Sequence, residues 1–178
     1  MKERRFLDHD AIGNLLDGMA RLLQNELDDR GRHDPALVGI HTGGVWVARE
    51  LQRRLGIEEP LGELDISFYR DDFTRIGINP QVKPSHIPFE VDERHIILVD
   101  DVIQTGRTIR AAMNEIFDFG RPASLLLVTL IERSGRELPI QPDVVGLRPP
   151  LADDEQIRLQ GPDPLSLHIR VRNGGASS

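Results

Sequence analysis

Apolar residues recur at Ile12, Leu15, Leu16, Met19, Leu22, Leu23 and Leu27. Steps of three and four predict an amphipathic helix that starts behind Asp8 or Asp10 as its N-cap. DRGRHDP interrupts the period, and ALVGI reads as a short strand buried on both faces. TGGVWVARELQRRLG then predicts a loop running into a second helix. In GELDISFY the pattern changes to alternation, with Leu64, Ile66 and Phe68 on one face of a strand. Residues 69–88 contain Gly77, Pro80, Pro84 and Pro88 and show no period, so a long loop is expected there.

HIILVD is a continuous apolar strand. GRTIRAAMNEIFDFG predicts an amphipathic helix closed by Gly120 at C′, with Pro122 just beyond. SLLLVTLIE and the shorter PDVVG read as further strands, EQIRLQ and LSLHIRVR as edge strands, and 173–178 as a mobile tail. Strands alternating with helices imply right-handed βαβ units and a mostly parallel sheet. The expected class is therefore α/β, in one domain over residues 1–172. Ligands of such sheets bind beyond the carboxyl ends of the strands. Two segments lie at such ends, HTGG after ALVGI and the aspartate pair after HIILV.

Composition narrows the picture. The chain of 178 residues has no cysteine, which removes disulfides and thiolate metal sites and fits a cytoplasmic protein. MKERRFLDHD has charge with no apolar run behind it, so no secretory leader is read there. No window approaches the roughly 18 apolar residues of a membrane span. The net charge of −7 argues against wholesale nucleic-acid binding and leaves only local basic patches. The histidines show no HxxxH pairing, so no metal held by the protein alone is expected. Trp46 follows the HTGG loop at helical spacing and is expected to pack in the core.

Adjacent carboxylates at a strand end, Asp100 and Asp101, are costly unless something binds them. After them Gln104–Thr108 form a tight turn opening a helix, with Gly106 suited to positive φ. Backbone N–H groups of such a turn and the helix N-terminus make an anion site. Thr105 and Thr108 add hydroxyl donors and Arg107 a charge. Carboxylates accept well from hydroxyls. Phosphate beside vicinal hydroxyls describes a ribose 5-phosphate. Neither a Walker A loop nor GxGxxG is present. A phosphorylatable receiver domain keeps its acidic pair near the first strand, not past residue 100. A helix cap needs only one aspartate and leaves the TGRT turn unexplained.

ILVDDVIQTGRT resembles the phosphoribosyl pyrophosphate (PRPP) motif of type I phosphoribosyltransferases: apolar strand, two acids, then T-G-x-T. GIHTGG resembles their pyrophosphate loop, DISFYRDD the strand entering their flexible loop, and RELPIQPDVVG the segment near their base pocket. Order and spacing over about residues 5–160 are similar to the PyrR type, which joins uracil phosphoribosyltransfer to regulation of the pyrimidine operon. The resemblance implies that uracil and PRPP give UMP and pyrophosphate, with Mg²⁺ bound through the substrate. It implies a lid over 69–88, a small hood including about 132–172, UMP and UTP as ligands, and a homodimer or homotetramer. Asp100, Asp101 and Arg70 would be catalytic, with Arg75 and Lys83 as further lid cations. The PRPP motif itself would comprise Ile96, Ile97, Leu98, Val99, Val102, Ile103, Gln104, Thr105, Gly106, Arg107 and Thr108. His41, Thr42, Gly43 and Gly44 would bind pyrophosphate, in a loop that often carries a non-proline cis peptide. The base would lie against Ile103, Val145 and Gly146.

The chain departs from that pattern twice. Pyrophosphate loops of this type usually read K-T-R-G, so His41-Thr42-Gly43-Gly44 lacks two cations. Leader-RNA binding in the family uses a basic face, and here its places hold Asp17, Gly18, Gly135, Gln141 and Leu147. Arg21, Arg133, Arg136 and Arg148 remain. Phosphate contacts dominate RNA affinity, so binding of a pyrimidine-operon leader is expected to be weakened. Three readings stay open: an active uracil phosphoribosyltransferase, a non-catalytic nucleotide-sensing regulator, and a dedicated RNA-binding attenuator.

Overall fold

The computed structural model describes residues 2–66 and 85–172. Its first half holds β1 (Glu3–Leu7), α1 (His9–Asp29), β2 (Ala36–Ile40), α2 (Gly43–Leu55) and β3 (Gly62–Leu64). Then come β4 (His95–Ile103), α3 (Arg107–Phe119), β5 (Ser124–Glu132), β6 (Val144–Leu147), β7 (Glu155–Gln160) and β8 (Ser166–Val171).

Five of these strands form a sheet in the order β3-β2-β4-β5-β6, every pair parallel. Alternation along β4 shows why its run is apolar throughout. Ile97 and Val99 enter a cluster with Leu16, Leu23, Val47 and Leu51 of α1 and α2, while Ile96, Leu98 and Ile103 enter another with Ile109 and Ile116 of α3. Helices therefore cover both faces, as a parallel sheet requires.

Of the two N-cap candidates Asp8 serves, its Oδ1 accepting from Ala11 N at 2.9 Å, and Asp10 lies in the first turn of α1. Arg54 of α2 reaches Asp17 of α1 at 2.8 Å and also binds Glu50. Burial raises the Glu50 carboxyl, but hydrogen bonds from Arg54 and Arg53 outweigh it and hold the group below its ordinary value. Gly120 ends α3 with φ 159° rather than as a left-handed C′ residue, and Asp92 Oδ1 would lie 2.7 Å from a Cβ there. The expected strand over GELDISFY is paired only through Leu64. Beyond it Asp65 N donates to Ser85 Oγ at 3.2 Å, Ile66 is buried, and Phe68 lies outside the described residues.

A second sheet, in the order β1-β8-β7 and antiparallel throughout, joins the two ends of the chain. Both expected strands are present, but only β7 is an edge: β8 lies in the middle, because the additional strand β1 pairs on its other side. ERRFL is largely exposed, so no apolar alternation announced it. Ile157, Leu159, Leu165, Leu167 and Ile169 bury this sheet on the α1–α2 side of the core. Trp46 packs against that core, as expected, and a Cβ on Gly161 would meet its ring at 3.1 Å. No helix among the described residues is long and apolar enough to cross a membrane.

Candidate functional site

The site begins with a strand that outlasts its apolar run. β4 continues through both acids to Ile103, with Asp100 opposite Thr129 and Val102 opposite Ile131. Asp100 is only 3% exposed, and its Oδ1 accepts from Asp101 N at 2.9 Å. Asp101 Oδ1 accepts from Val102 N at 2.8 Å. The turn follows at once. Gly106 takes φ +90°, open to glycine and strained for other residues, and α3 starts on its far side. Thr105 Oγ1 accepts from Arg107 N at 3.1 Å. Thr105 O accepts from Glu137 N at 2.9 Å and Leu138 N at 3.1 Å, which ties the turn to the segment before β6. Asp100 through Gly106, with Thr108 and Ile109, line a cavity of about 260 Å³. Carboxylates, threonine hydroxyls and a helix N-terminus share one concavity, a match for a phosphate beside hydroxyls.

Facing it is the end of β2. The His41–Thr42 peptide is cis. α2 begins directly at Gly43, and Thr42 gives it no side-chain cap. A Cβ on Gly43 would overlap Asp101 Oδ2, and one on Gly44 would lie 2.6 Å from Val99 O and 3.0 Å from Asp100 Cα. Glycine at both places is what lets the N-terminus of α2 reach the aspartate pair. The two sequence segments thus form one site. His41 N donates to Leu64 O at 2.9 Å, and its ring Nε2 lies 3.1 Å from Glu63 Oε1.

A family model described as phosphoribosyl transferase domain matches residues 9–163. The chain is 59% identical over 157 residues to the bifunctional protein PyrR of Pseudomonas paraeruginosa, covering 88% of this chain and 92% of that one. It is 58% identical to the bifunctional protein PyrR of Nitrosococcus oceani, covering 89% and 91%. The chain belongs to the PyrR family of phosphoribosyl transferases. Among solved structures, a Trypanosoma cruzi hypoxanthine phosphoribosyl transferase superposes with a TM-score of 0.65 at 22% identity, covering 84% of this chain and 79% of that one. A hypoxanthine-guanine-xanthine phosphoribosyltransferase does so at 0.59 and 21%, covering 80% and 76%. Those two likenesses concern the fold.

Within the PyrR-family frame the remaining candidates divide. Ile96, Ile97, Leu98 and Val99 are buried in the two cores, so they place the acids while their side chains meet only protein. Val102 packs on the α1–α2 side and Ile103 on the α3 side. Gln104 has its side chain against Gly135. Arg107 does not simply add charge to the turn, because its Nε is 2.7 Å from Glu137 Oε2. Val145 and Gly146 lie on β6 and are not among the residues lining the cavity. A Cβ on Gly146 would meet Leu130 O at 2.5 Å and Met19 Sδ at 2.8 Å, so this glycine serves packing under α1.

The arginines proposed for RNA are partly committed. Arg136 and Arg148 both bind Glu132, at 2.5 Å and 2.6 Å. Arg133 Nε and two guanidine nitrogens of Arg136 are buried with no hydrogen-bond partner among the described residues. Arg133, Arg136 and Arg148 border one cavity of about 420 Å³, and Arg21 borders another beside Asp17 and Arg54. Arg70, Arg75, Lys83 and most of 69–88, with 173–178, lie outside the described residues. Glu63 and Glu132 escaped the sequence reading. Glu63 partners His41 and Arg49 from another strand, Glu132 joins Arg136 four residues on to Arg148 sixteen on, and no motif marks either.

Among the described residues no group of three His, Cys, Asp or Glu gathers to hold a metal ion. Asp100 and Asp101 are hard oxygen donors, and Mg²⁺ is commonly bound by one or two carboxylates together with substrate phosphates. The donor set fits a magnesium ion that arrives with a pyrophosphate.

Proposed function

We propose that this cytoplasmic PyrR-family protein transfers the phosphoribosyl group of PRPP to uracil, giving UMP and pyrophosphate, and that the same nucleotide site serves regulation of pyrimidine genes. The observation that carries this is the direct contact of the two loops, Gly43 against Asp101. It brings a ribose-phosphate cradle and a backbone anion site within one substrate's reach.

In the reaction the C1–O bond to pyrophosphate breaks, a bond from C1 to uracil N1 forms, and the N1 proton leaves. The turn Thr105–Thr108 holds the 5-phosphate, through its hydroxyls and the N-terminus of α3. Asp100 and Asp101 hold the ribose hydroxyls, and their negative charge favours the cationic character that C1 gains as the bond to pyrophosphate stretches. Residues 41–44 hold the leaving pyrophosphate through backbone N–H groups at the start of α2. Mg²⁺, when bound with PRPP, neutralises pyrophosphate charge. Arg70 is proposed as a lid cation. Uracil sits near Ile103, toward Val145 and Gly146 of β6. Orienting N1 against C1 in this way recovers roughly 7–11 kcal/mol of barrier that free reactants face. UMP and UTP occupy the same cradle as regulatory ligands. Leader RNA meets a face where Glu132 already neutralises part of the Arg136 and Arg148 charge, which supports weakened binding.

The test is incubation of purified protein with labelled uracil, PRPP and Mg²⁺, with hypoxanthine and guanine as control acceptors. UMP from uracil alone is expected. PRPP or UMP binding without turnover on any base would replace this reading with that of a non-catalytic nucleotide-sensing regulator.

A further inference from the structure

Glu63, on edge strand β3, has so far been given no role, yet its carboxylate faces the loop at the end of β2. We infer that Glu63 is a positioning residue for PRPP: by binding the His41 ring it holds the 41–44 loop in the shape that receives pyrophosphate. The inference rests on the pyrophosphate reading of that loop.

Backbone pairing holds both members of the pair. Glu63 lies beside Gly39 in the parallel β2–β3 register, and His41 N continues that ladder to Leu64 O at 2.9 Å. On its other side Glu63 pairs with His86 in an antiparallel bridge, N to O and O to N at 2.8 Å each. Neighbours on both sides therefore fix the carboxylate's strand. From it Oε1 reaches His41 Nε2 at 3.1 Å, and Arg49 of α2 lies 3.6 Å from the same oxygen. The His41 and Glu63 side chains are 19% and 26% exposed, so their contact is largely sheltered from solvent.

A carboxylate on Nε2 needs a hydrogen there, which fixes the tautomer and the ring plane together. Gly43 and Gly44 contribute no side chains, Thr42 makes no cap, and Asp100 and Asp101 press from the β4 side. Among the described residues the His41 ring ties the loop to Glu63, and its backbone N ties it to Leu64 O. Leaving-group stabilisation depends on donors fixed before the reaction, so a loosened loop weakens PRPP binding first.

Calorimetric titration of PRPP with Mg²⁺ into the whole protein reads the effect directly, without turnover. Glu63→Ala is expected to raise the PRPP dissociation constant about tenfold, a size common for coupled neighbours. Its KM for uracil should stay unchanged, and Glu63→Gln, which retains an acceptor, should recover most of the loss. His41→Ala should match Glu63→Ala, and the double variant should be no worse than either. Additive losses, or a loss in His41→Ala alone, overturn the inference while leaving the loop's role standing. No loss in either single variant overturns the loop's role as well. Glu63→Met with His41→Phe, which keep bulk and remove the polar contact, repeats the cycle if an alanine variant fails to fold.

Discussion

At the end of β4 the site is made of side chains: two aspartates, two threonines and a turn shaped by one left-handed glycine. At the end of β2, pressed against it, the site is made of backbone: two glycines, a cis peptide and a helix N-terminus, with one ring tied to Glu63 on the next strand. Both are suited to an anion. The first carries its chemistry in consecutive residues and tolerates neighbours. The second depends on how closely two chain segments approach, so its support comes from residues far away in sequence.

The largest effect should come from the side-chain half. Asp100→Asn with Asp101→Asn keeps size and removes the charge proposed to face the ribose. The value of kcat/KM should fall about 10²–10³-fold, the range for losing fixed polar partners of a transition state. Circular dichroism should show an intact fold. A fall of less than threefold would mean the acids only shape the strand end.

Next in size is Gly43→Arg, which sets the two halves against each other. Charge counting predicts that an arginine restores a missing cation and tightens PRPP. Geometry predicts the opposite, because the new Cβ would overlap Asp101 Oδ2. The aspartate or the start of α2 must then move, and misplacement of about 1 Å near a reacting centre can cost 10²-fold in rate. Steady-state kinetics with PRPP varied decides: a lower KM would show a loop short of charge, a fall in kcat/KM a loop built on close approach.

This difference also explains what was legible in the sequence. The parallel sheet announced itself, because strands such as β4 and β5 are covered on both faces and read as unbroken apolar runs. The aspartate pair and TGRT turn were legible because their chemistry is contiguous. β1 was not, since ERRFL exposes mostly charge and becomes a strand only by pairing with β8 at the other end of the chain. Gly43 looked like a loss until its contact with Asp101 was visible. Arg136 and Arg148 looked like free cations, although Glu132 binds both. Charge can be counted from a sequence, but its partner cannot.

A stability effect comes third. Gly44→Ala would put a methyl 2.6 Å from Val99 O and 3.0 Å from Asp100 Cα, both backbone atoms that cannot swing aside. Overpacking of this kind costs about 1–3 kcal/mol. In a chain of this size that lowers the melting temperature by roughly 2–4 °C per kcal/mol. Thr105→Ala is the matching change in the other loop. It loses one hydrogen bond to Arg107 N, worth about 1 kcal/mol, and opens no clash. A scanning calorimeter should find Gly44→Ala the less stable of the two if the β2 end is the more tightly packed half.

The smallest effect is expected at the one cation inside the side-chain half. From sequence, Arg107 adds positive charge to the phosphate turn. In the structure its Nε lies 2.7 Å from Glu137 Oε2, and the two side chains are 55% and 52% exposed. Exposed pairs of this sort contribute about 0–1 kcal/mol, so neither stability nor phosphate affinity should hang on the guanidinium. What Arg107 gives the turn is its backbone N–H to Thr105 Oγ1, and alanine keeps that donor. Arg107→Ala and Glu137→Ala should each leave the KM for PRPP within about threefold, consistent with a solvent-screened charge. The pair of variants is more informative than either alone. An arginine that binds the 5-phosphate and is restrained by Glu137 would give opposite shifts, a higher KM without Arg107 and a lower one without Glu137. Equal and small shifts would leave the phosphate to the hydroxyls and the helix N-terminus, so that even in the half built from side chains the anion is met mainly by neutral donors.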